Sequence, residues 1–274
     1  EPLAGVLMEH LTTENPATLA QSTRGFTAAD FDDKAYAPII KNNRYGRSTG
    51  IQVQNVGASP ANIKVTFVGF AGACAGTTYE QTADNVQPGA SAIFNQRVGQ
   101  SPLPANCTAS PTITSTLVGG LIVALVSESY EVVPASGQSA VTSYAVPADS
   151  ATTLLSAPLF KDDRFDKRTG LQIQNVGSVA ATNVVATFSC QGASTFTAVS
   201  VPLSAASGAA IQFYTPSDDP ALFAAGSPFS SNNVTCSVTV TSDQPVVAIA
   251  NESPIPGGTF QQDNNNYEGF NLTP

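Results

Sequence analysis

"RSTGIQVQNVG" occupies residues 47–57, and "KRTGLQIQNVG" occupies residues 167–177, 120 residues later. Upstream, "YAPIIKNNRYG" (36–46) matches "SAPLFKDDRFD" (156–166), and downstream "VALVSES" (123–129) matches "VAIANES" (247–253). Because the order of the segments is the same in both halves, the sequence indicates a duplicated domain rather than a recurring short motif.

Apolar and polar side chains alternate within the repeated segments. Ile51 and Val53 alternate with Gln52 and Gln54, which is the period of a β-strand, while the apolar run 121–126 predicts a central strand. Clusters of Gly, Pro, Asn and Ser separate the short strands, and no long window has helical spacing. The sequence therefore predicts an all-β protein with two tandem antiparallel β-sandwiches, immunoglobulin-like or jelly-roll-like. The predicted boundaries are an N-terminal arm (1–34), repeat 1 (35–148) and repeat 2 (149–274).

The composition excludes some classes of partner. The chain has 274 residues, enough for two ordinary domains, and a net charge of -9. This charge argues against nucleic acid and anionic membranes as partners, and no apolar run approaches the roughly 20 residues that span a bilayer. The chain starts at Glu1 without a signal-peptide pattern, so either a signal was removed or none was supplied.

Four cysteines fall two per repeat, at Cys74, Cys107, Cys190 and Cys236. None is in a C-x-x-C pair, so their spacing favours one disulfide per domain over a zinc site. We expect the pairs Cys74–Cys107 and Cys190–Cys236, and an oxidising compartment. Local alignment places Cys190 at position 69 of repeat 1 and Cys236 at position 112. Equal and opposite shifts of the two cysteines would explain how the bridge moved between the repeats.

The repeated phrase has a structural interpretation. Asn-Val-Gly at 55–57 and 175–177 is expected to close a strand with residues suited to positive φ. Nearby, Arg44 is followed by Tyr45, and Arg164 by Phe165. A solvated or internally paired arginine is favoured over a site for a carbohydrate or a neighbouring subunit.

The N-terminal arm resembles the end of each repeat. "GVLMEHL" (5–11) is similar to "ALVSESY" (124–130) and "AIANESP" (248–254), and it aligns Glu9 with Glu128 and Glu252. Residues 1–30 therefore look like the last two strands of a third repeat. Without a sandwich of its own, such a strand has unpaired backbone groups and must dock on another surface.

Two docking modes are open for this arm. It either lies along the first domain of its own chain as an extra edge strand, or adds to a neighbouring subunit and builds a linear polymer. We favour the polymer, with copies of the same chain as partners. The predicted assembly strand consists of seven residues: Gly5, Val6, Leu7, Met8, Glu9, His10 and Leu11.

The segments "TGIQVQNVG", "VTF" (65–67), "PGAS" (88–91) and "VALVSES", with the endings "SY" and "YEGF", resemble the tandem β-sandwich repeats of bacterial secreted surface proteins. The resemblance covers both repeats and implies a structural role in the cell envelope or outside the cell. It transfers no catalytic residues. Donor-strand pili are similar in mechanism, because their subunits also contribute an N-terminal strand to a neighbour.

Catalytic and metal-binding patterns are weak in this chain. His10 is the sole histidine and has no nucleophile motif near it, so we expect no enzyme of the Ser-His-Asp or Cys-His type. The recurring glutamates Glu9, Glu128 and Glu252 favour structural hydrogen bonding over glycosidase chemistry. Acid clusters at 30–33, 162–166 and 218–219 favour solvated turns over calcium sites, so no cofactor is expected.

These observations predict a secreted or cell-surface structural subunit of an extracellular, pilus-like filament or surface layer. It would assemble as a homopolymer by N-terminal β-strand addition. The runner-up is a monomeric adhesin that binds surface glycans, and a glycan-active enzyme is third.

Overall fold

A computed structural model describes residues 6–10, 20–97, 102–130, 142–144, 146–147, 151–191, 206–213, 233–255 and 265–272. The chain divides into two compact units, Glu1–Asp149 and Ser150–Pro274.

The described residues form antiparallel strands and one 3-10 turn at Ala28–Asp30. In unit 1 the strands are β1 (Val6–His10), β2 (Ala20–Arg24), β3 (Lys34–Tyr36), β4 (Ile40–Asn42), β5 (Arg47–Asn55), β6 (Ala61–Gly72), β7 (Thr78–Val86), β8 (Ser91–Asn95), β9 (Cys107–Ser115), β10 (Ile122–Tyr130), β11 (Thr142–Tyr144) and β12 (Val146–Pro147). In unit 2 they are β13 (Thr152–Asp162), β14 (Lys167–Asn175), β15 (Val185–Cys190), β16 (Ala210–Phe213), β17 (Val234–Pro254), β18 (Asn265–Glu268) and β19 (Phe270–Asn271).

The described residues of unit 1 form three sheets. One has the order β11-β10-β5-β8, and the second has the order β12-β3-β9-β6-β7, with β4 also paired to β9. The third is the β1-β2 hairpin. The apolar run 121–126 lies largely in β10, which has β5 on one side and β11 on the other, so the predicted central strand is confirmed.

Apart from β1–β2 and β6–β7, the pairings of unit 1 recur among the described strands of unit 2 in a more continuous form. Its β17 is 21 residues long, and its first part pairs with β13 and β15 while its last part pairs with β14 and β18. In unit 1 the equivalent segments are the separate strands β9 and β10. A turn divides them, in which Gly120 N–H bonds to the Leu117 carbonyl and Gly119 has a φ of 73°.

The core of each unit lies beneath the repeated strand. Phe188 contacts Phe160 and Phe213 edge-on, with ring centroids 5.1 Å and 6.2 Å apart. By strand register, Phe67 and Phe94 are the equivalents of Phe188 and Phe213 in unit 1, and both are buried. The all-β, antiparallel sandwich predicted from the sequence is therefore confirmed.

Candidate functional site

The repeated phrase positions a buried charge cluster in unit 1. The Glu128 carboxylate lies 2.9 Å from Lys41 Nζ and 2.9 Å from Arg47 Nη1, and these three side chains are at most 16% exposed. Thr49 faces Glu128 across the β5–β10 ladder, and its hydroxyl accepts from the Lys41 N–H (3.0 Å) and donates to the Lys41 carbonyl (3.1 Å). The phrase thus holds the lysine-bearing strand against the glutamate.

Unit 2 repeats this arrangement. The Glu252 carboxylate lies 2.6 Å from Lys161 Nζ, and Thr169 faces Glu252 while accepting from the Lys161 N–H at 3.0 Å. Lys167 occupies the position of Arg47 and is buried. Both glutamates therefore pair with lysines whose side chains are at most 16% exposed.

Electrostatics favour the ionised form of Glu128. Burial by itself would raise the pKa of this carboxyl, but the positive charges of Lys41 and Arg47 outweigh burial and hold the pKa below its ordinary value. A glutamate that stays ionised and is shared by two cations suits a structural ion cluster.

A tyrosine near the end of each repeat makes a similar pair of hydrogen bonds; Tyr144 is buried and Tyr267 is half-buried. The Tyr144 hydroxyl accepts from the Ile39 N–H at 3.1 Å and donates to the Ile39 carbonyl. The Tyr267 hydroxyl makes the same two bonds to Leu159, with the N–H donor at 3.1 Å. Each tyrosine therefore links β11 or β18, the closing strand of its repeat, to the segment before the repeated phrase. The "SY" and "YEGF" endings signalled these tyrosines, but sequence reasoning gave them no role.

The asparagine of the phrase organises a turn through its side chain. Asn55 Nδ2 donates to the carbonyls of Ser59 and Val86 at 2.8 Å each, and its Oδ1 accepts from the Gly57 N–H at 2.9 Å. Asn175 likewise bonds the Val179 carbonyl and the Gly177 N–H.

The expectation of positive φ at Asn-Val-Gly is wrong, because no residue of 55–57 or 175–177 has a positive φ. Positive φ occurs upstream instead, in the turns before β5 and β14, at Asn43, Tyr45, Gly46, Asp163, Phe165 and Asp166. A Cβ at position 57 would lie 3.2 Å from the Leu121 nitrogen, a tight contact with backbone. A Cβ at position 177 would lie 2.5 Å from Gln244 Oε1, which is the end of a flexible side chain and can move away. Close approach to backbone therefore favours glycine at position 57.

Both predicted disulfides are present, Cys74–Cys107 and Cys190–Cys236. The strand register gives a different correspondence between the cysteine positions of the two repeats than the sequence alignment does. Cys190 is equivalent to Gly69 as expected, but the register makes Ala109, not position 112, the equivalent of Cys236.

The two cysteines of unit 1 are not displaced by equal and opposite shifts relative to those of unit 2. A register irregularity between Gly69 and Ala71 is followed by a turn that carries Cys74 back over Gly69. A Cβ on residue 69 would lie 2.1 Å from the Cys74 carbonyl oxygen. The glycine therefore leaves the space that the relocated disulfide occupies.

The predicted assembly strand forms β1 over Val6–His10, while Gly5 and Leu11 lie outside the described residues. β1 pairs with β2, and β2 approaches β11 without joining its sheet. Strand addition to another molecule stays a prediction.

This hairpin has the register of the two closing hairpins, which are β10–β11 and the last part of β17 with β18. Glu9 faces Gln21, just as Glu128 faces Thr142 and Glu252 faces Asn265. In each repeat the other side of the glutamate-bearing strand pairs with the repeated phrase, in β5 or β14. Among the described residues, β1 has no strand on that second side.

Two surface turns are also duplicated. The Arg44 guanidinium lies 4.4 Å from the centroid of the Tyr45 ring and donates to Asn106 Oδ1 at 2.5 Å. Arg164 lies 4.4 Å from the Phe165 ring and donates to Asn233 Oδ1 at 3.1 Å. The expected internal pairing of both arginines is confirmed. The rings themselves are exposed, by 75% for Tyr45 and 63% for Phe165.

Two of the three acid clusters lie among the described residues, and one of their members, Asp162, is buried rather than solvated as expected. Asp30 pairs with Arg24 at 2.7 Å, and Asp163 pairs with Arg168, whereas residues 218–219 lie outside the described part of the chain. Within the described ranges, no group of three or more His, Cys, Asp or Glu side chains is placed to hold a metal ion. The same ranges contain no helix of the length and apolarity needed to cross a membrane.

Comparisons with known proteins add little to this picture. No family model matches the chain, and no curated protein matches it significantly. Among solved structures, the crystal structure of red sea bream transglutaminase matches with 12% sequence identity and a TM-score of 0.18. The match covers 86% of this chain and 31% of the transglutaminase chain. At that TM-score the similarity carries no argument about function.

Proposed function

We propose that the protein is a structural subunit of an extracellular filament or surface layer. Its N-terminal strand joins it to a neighbouring copy by β-strand addition. The observation that carries this proposal is the β1–β2 hairpin, which has the register of a repeat's closing hairpin but, among the described residues, lacks the second neighbour that both closing hairpins have. An unpaired strand edge is a template for pairing with another chain.

The construction of the two units supports a mechanical role. Each unit has a disulfide, a buried ion cluster and a tyrosine that ties its closing strand to the body of the sandwich. These links join segments that are distant in sequence, so they resist the separation of strands. The recurring glutamates Glu128 and Glu252 are occupied in these links rather than displayed in a cleft.

The two disulfides indicate an oxidising environment. We place the protein outside the cell or on its surface, where such bonds persist. The small number of charged residues, 11% of the chain, suits a surface that packs against copies of itself.

Sedimentation velocity and negative-stain microscopy of the purified full chain test this proposal. We expect linear oligomers that lengthen as the concentration rises from about 1 µM to about 100 µM, a range that suits moderate affinity. Met8→Pro, which removes a backbone donor from β1, should abolish them. Val118→Pro is the control, because Val118 is fully exposed in a turn whose next residue is Gly119. A wild-type chain that stays monomeric throughout would exclude assembly by this strand.

The exposed rings of Tyr45 and Phe165 favour glycan binding as a second candidate function. Each ring has one arginine stacked on it and an asparagine amide nearby, and aromatic rings bind the apolar faces of sugars. A glycan array with wild type and the double variant Tyr45→Ala/Phe165→Ala tests it. Sugar binding that the double variant loses would support an adhesin, and equal binding by both proteins would exclude these rings.

A further inference from the structure

Joining two copies through β1 requires a recipient strand, and the repeated strands cannot serve. β5 is bonded to β8 on one side and β10 on the other, and β14 is bonded to β16 and β17. The strands most similar to the neighbour that β1 lacks are therefore occupied in a folded copy. The donor has to add at an outer edge of a sheet.

The two long outer edges of unit 1 differ in charge. β7 carries Glu80 and Asp84, and charged residues protect an edge strand against pairing. β8 has the sequence SAIFN, with neither a charge nor a proline, and among the described residues it pairs with β5 alone. Its five residues match the five residues of β1.

Ile93, at the centre of β8, is 68% exposed. The other exposed large hydrophobic residues in the described part of the chain lie in turns, loops or next to a terminus, whereas Ile93 lies within a strand. On its inner side Ile93 faces Gln52 of β5. A strand added on the outer side would cover part of this side chain through cross-strand contact.

We propose that the β8 edge of one copy receives β1 of the next copy, with Ile93 at the centre of the contact. This inference rests on the proposed function and identifies its recipient site. Donor and recipient are different surfaces of the same chain, so the contact is heterologous and propagates in one direction. A sheet that ends at β8 in one copy continues into the β1–β2 hairpin of its neighbour.

Two variants of the full chain separate the donor from the recipient. Met8→Pro disables β1 and leaves β8 intact, while Ile93→Lys places a charge on the β8 edge and leaves β1 intact. Each variant alone should be monomeric, with association weakened at least about 30-fold, the effect of losing a central contact residue. Val118→Lys, which adds the same charge at a fully exposed turn, should assemble like the wild type.

Mixing the two variants gives the decisive readout. The intact β1 of Ile93→Lys should add to the intact β8 of Met8→Pro, and sedimentation should show 1:1 dimers and nothing longer. Ile93→Thr is a second substitution at the recipient position, because threonine favours strands. Unchanged far-UV circular dichroism verifies that both Ile93 variants are folded.

The outcomes distinguish this inference from the proposed function. Wild-type assembly that persists in folded Ile93→Lys, or a mixture that remains monomeric, overturns the β8 site while leaving strand addition in place. A monomeric wild type overturns the proposed function itself and, with it, the recipient site.

Discussion

Single residues in this protein act mainly by satisfying buried charge and hydrogen-bonding capacity. Glu128 is the clearest case, because two cations share its carboxylate inside the sandwich. A buried ion pair is not necessarily stabilising relative to an apolar core, but removing one partner leaves the others uncompensated. The stability of each repeat should therefore be sensitive to substitution of its buried glutamate, Glu128 or Glu252.

Glu128→Gln should lower the free energy of unfolding of unit 1 by about 3–5 kcal/mol at neutral pH, because Lys41 and Arg47 stay buried without their counter-charge. Urea denaturation measures this loss. Glu80→Gln is the matched control, since its pair with Lys64 is exposed and should change stability by less than about 1 kcal/mol. Equal effects of the two substitutions would contradict the buried-cluster account.

The same cluster predicts a dependence on acid. Because the pKa of Glu128 is lowered in the folded state, its stabilising effect is present above the ordinary value of 4.5 and is lost as pH falls through the lowered value. The stability difference between wild type and Glu128→Gln should therefore shrink in acid. A difference that stays constant down to about pH 2 would show that the folded protein does not hold this carboxyl ionised.

The raised pKa of Tyr267 predicts that the stability of unit 2 depends on pH in the alkaline range. Burial raises its pKa to about 12, whereas an unfolded tyrosine titrates near 10. Tyr267→Phe should cost about 1–3 kcal/mol at neutral pH through the two lost hydrogen bonds to Leu159. The hydroxyl's contribution is present below about pH 10 and is lost as pH rises towards about 12, so the gap between wild type and variant should close. Denaturation curves at neutral and alkaline pH measure it, and a gap independent of pH would refute the buried hydroxyl.

At the scale of elements, strand patterning was readable from sequence and exact register was not. The alternation around Ile51 and Val53 was sufficient to predict β5, and the cysteine count per repeat was sufficient to predict the disulfides. The turn that returns Cys74 over Gly69 was not predictable, because alternation reports which face a side chain occupies and not where a ladder shifts by one residue. Similarly, the sequence predicts a turn at Asn55, but it does not show that the Asn55 side chain makes the hydrogen bonds of that turn.

Gly69→Ala tests the relocated disulfide. The added Cβ would meet the Cys74 backbone at 2.1 Å, so we expect a loss of about 1–3 kcal/mol or more, as in overpacked cores. Gly50→Ala is the control, because its Cβ would meet nothing closer than 4.0 Å and its φ is not positive. Thermal unfolding compares them, and a neutral Gly69→Ala would contradict the close approach of the Cys74 turn.

For the whole molecule, duplication explains more than either repeat does alone. The comparison of β10 with the last part of β17 shows that the glutamate-bearing strand of each repeat has a partner on both sides. In the part of the chain that the structure describes, β1 of the N-terminal hairpin has one of these two partners, β2. Sequence similarity around Glu9 predicted the remnant, but its pairing with β2 came from the structure, because "GVLMEHL" by itself does not specify a partner.

Hydrogen exchange at the backbone amides of Val6–His10 tests strand addition most directly. In the full chain, the amides of β1 that do not bond to β2 should exchange more slowly as the protein concentration rises, and Met8→Pro should remove this protection from the remaining amides of the segment. Exchange rates for these amides that are the same in dilute and concentrated protein would contradict the addition of β1 to a second copy.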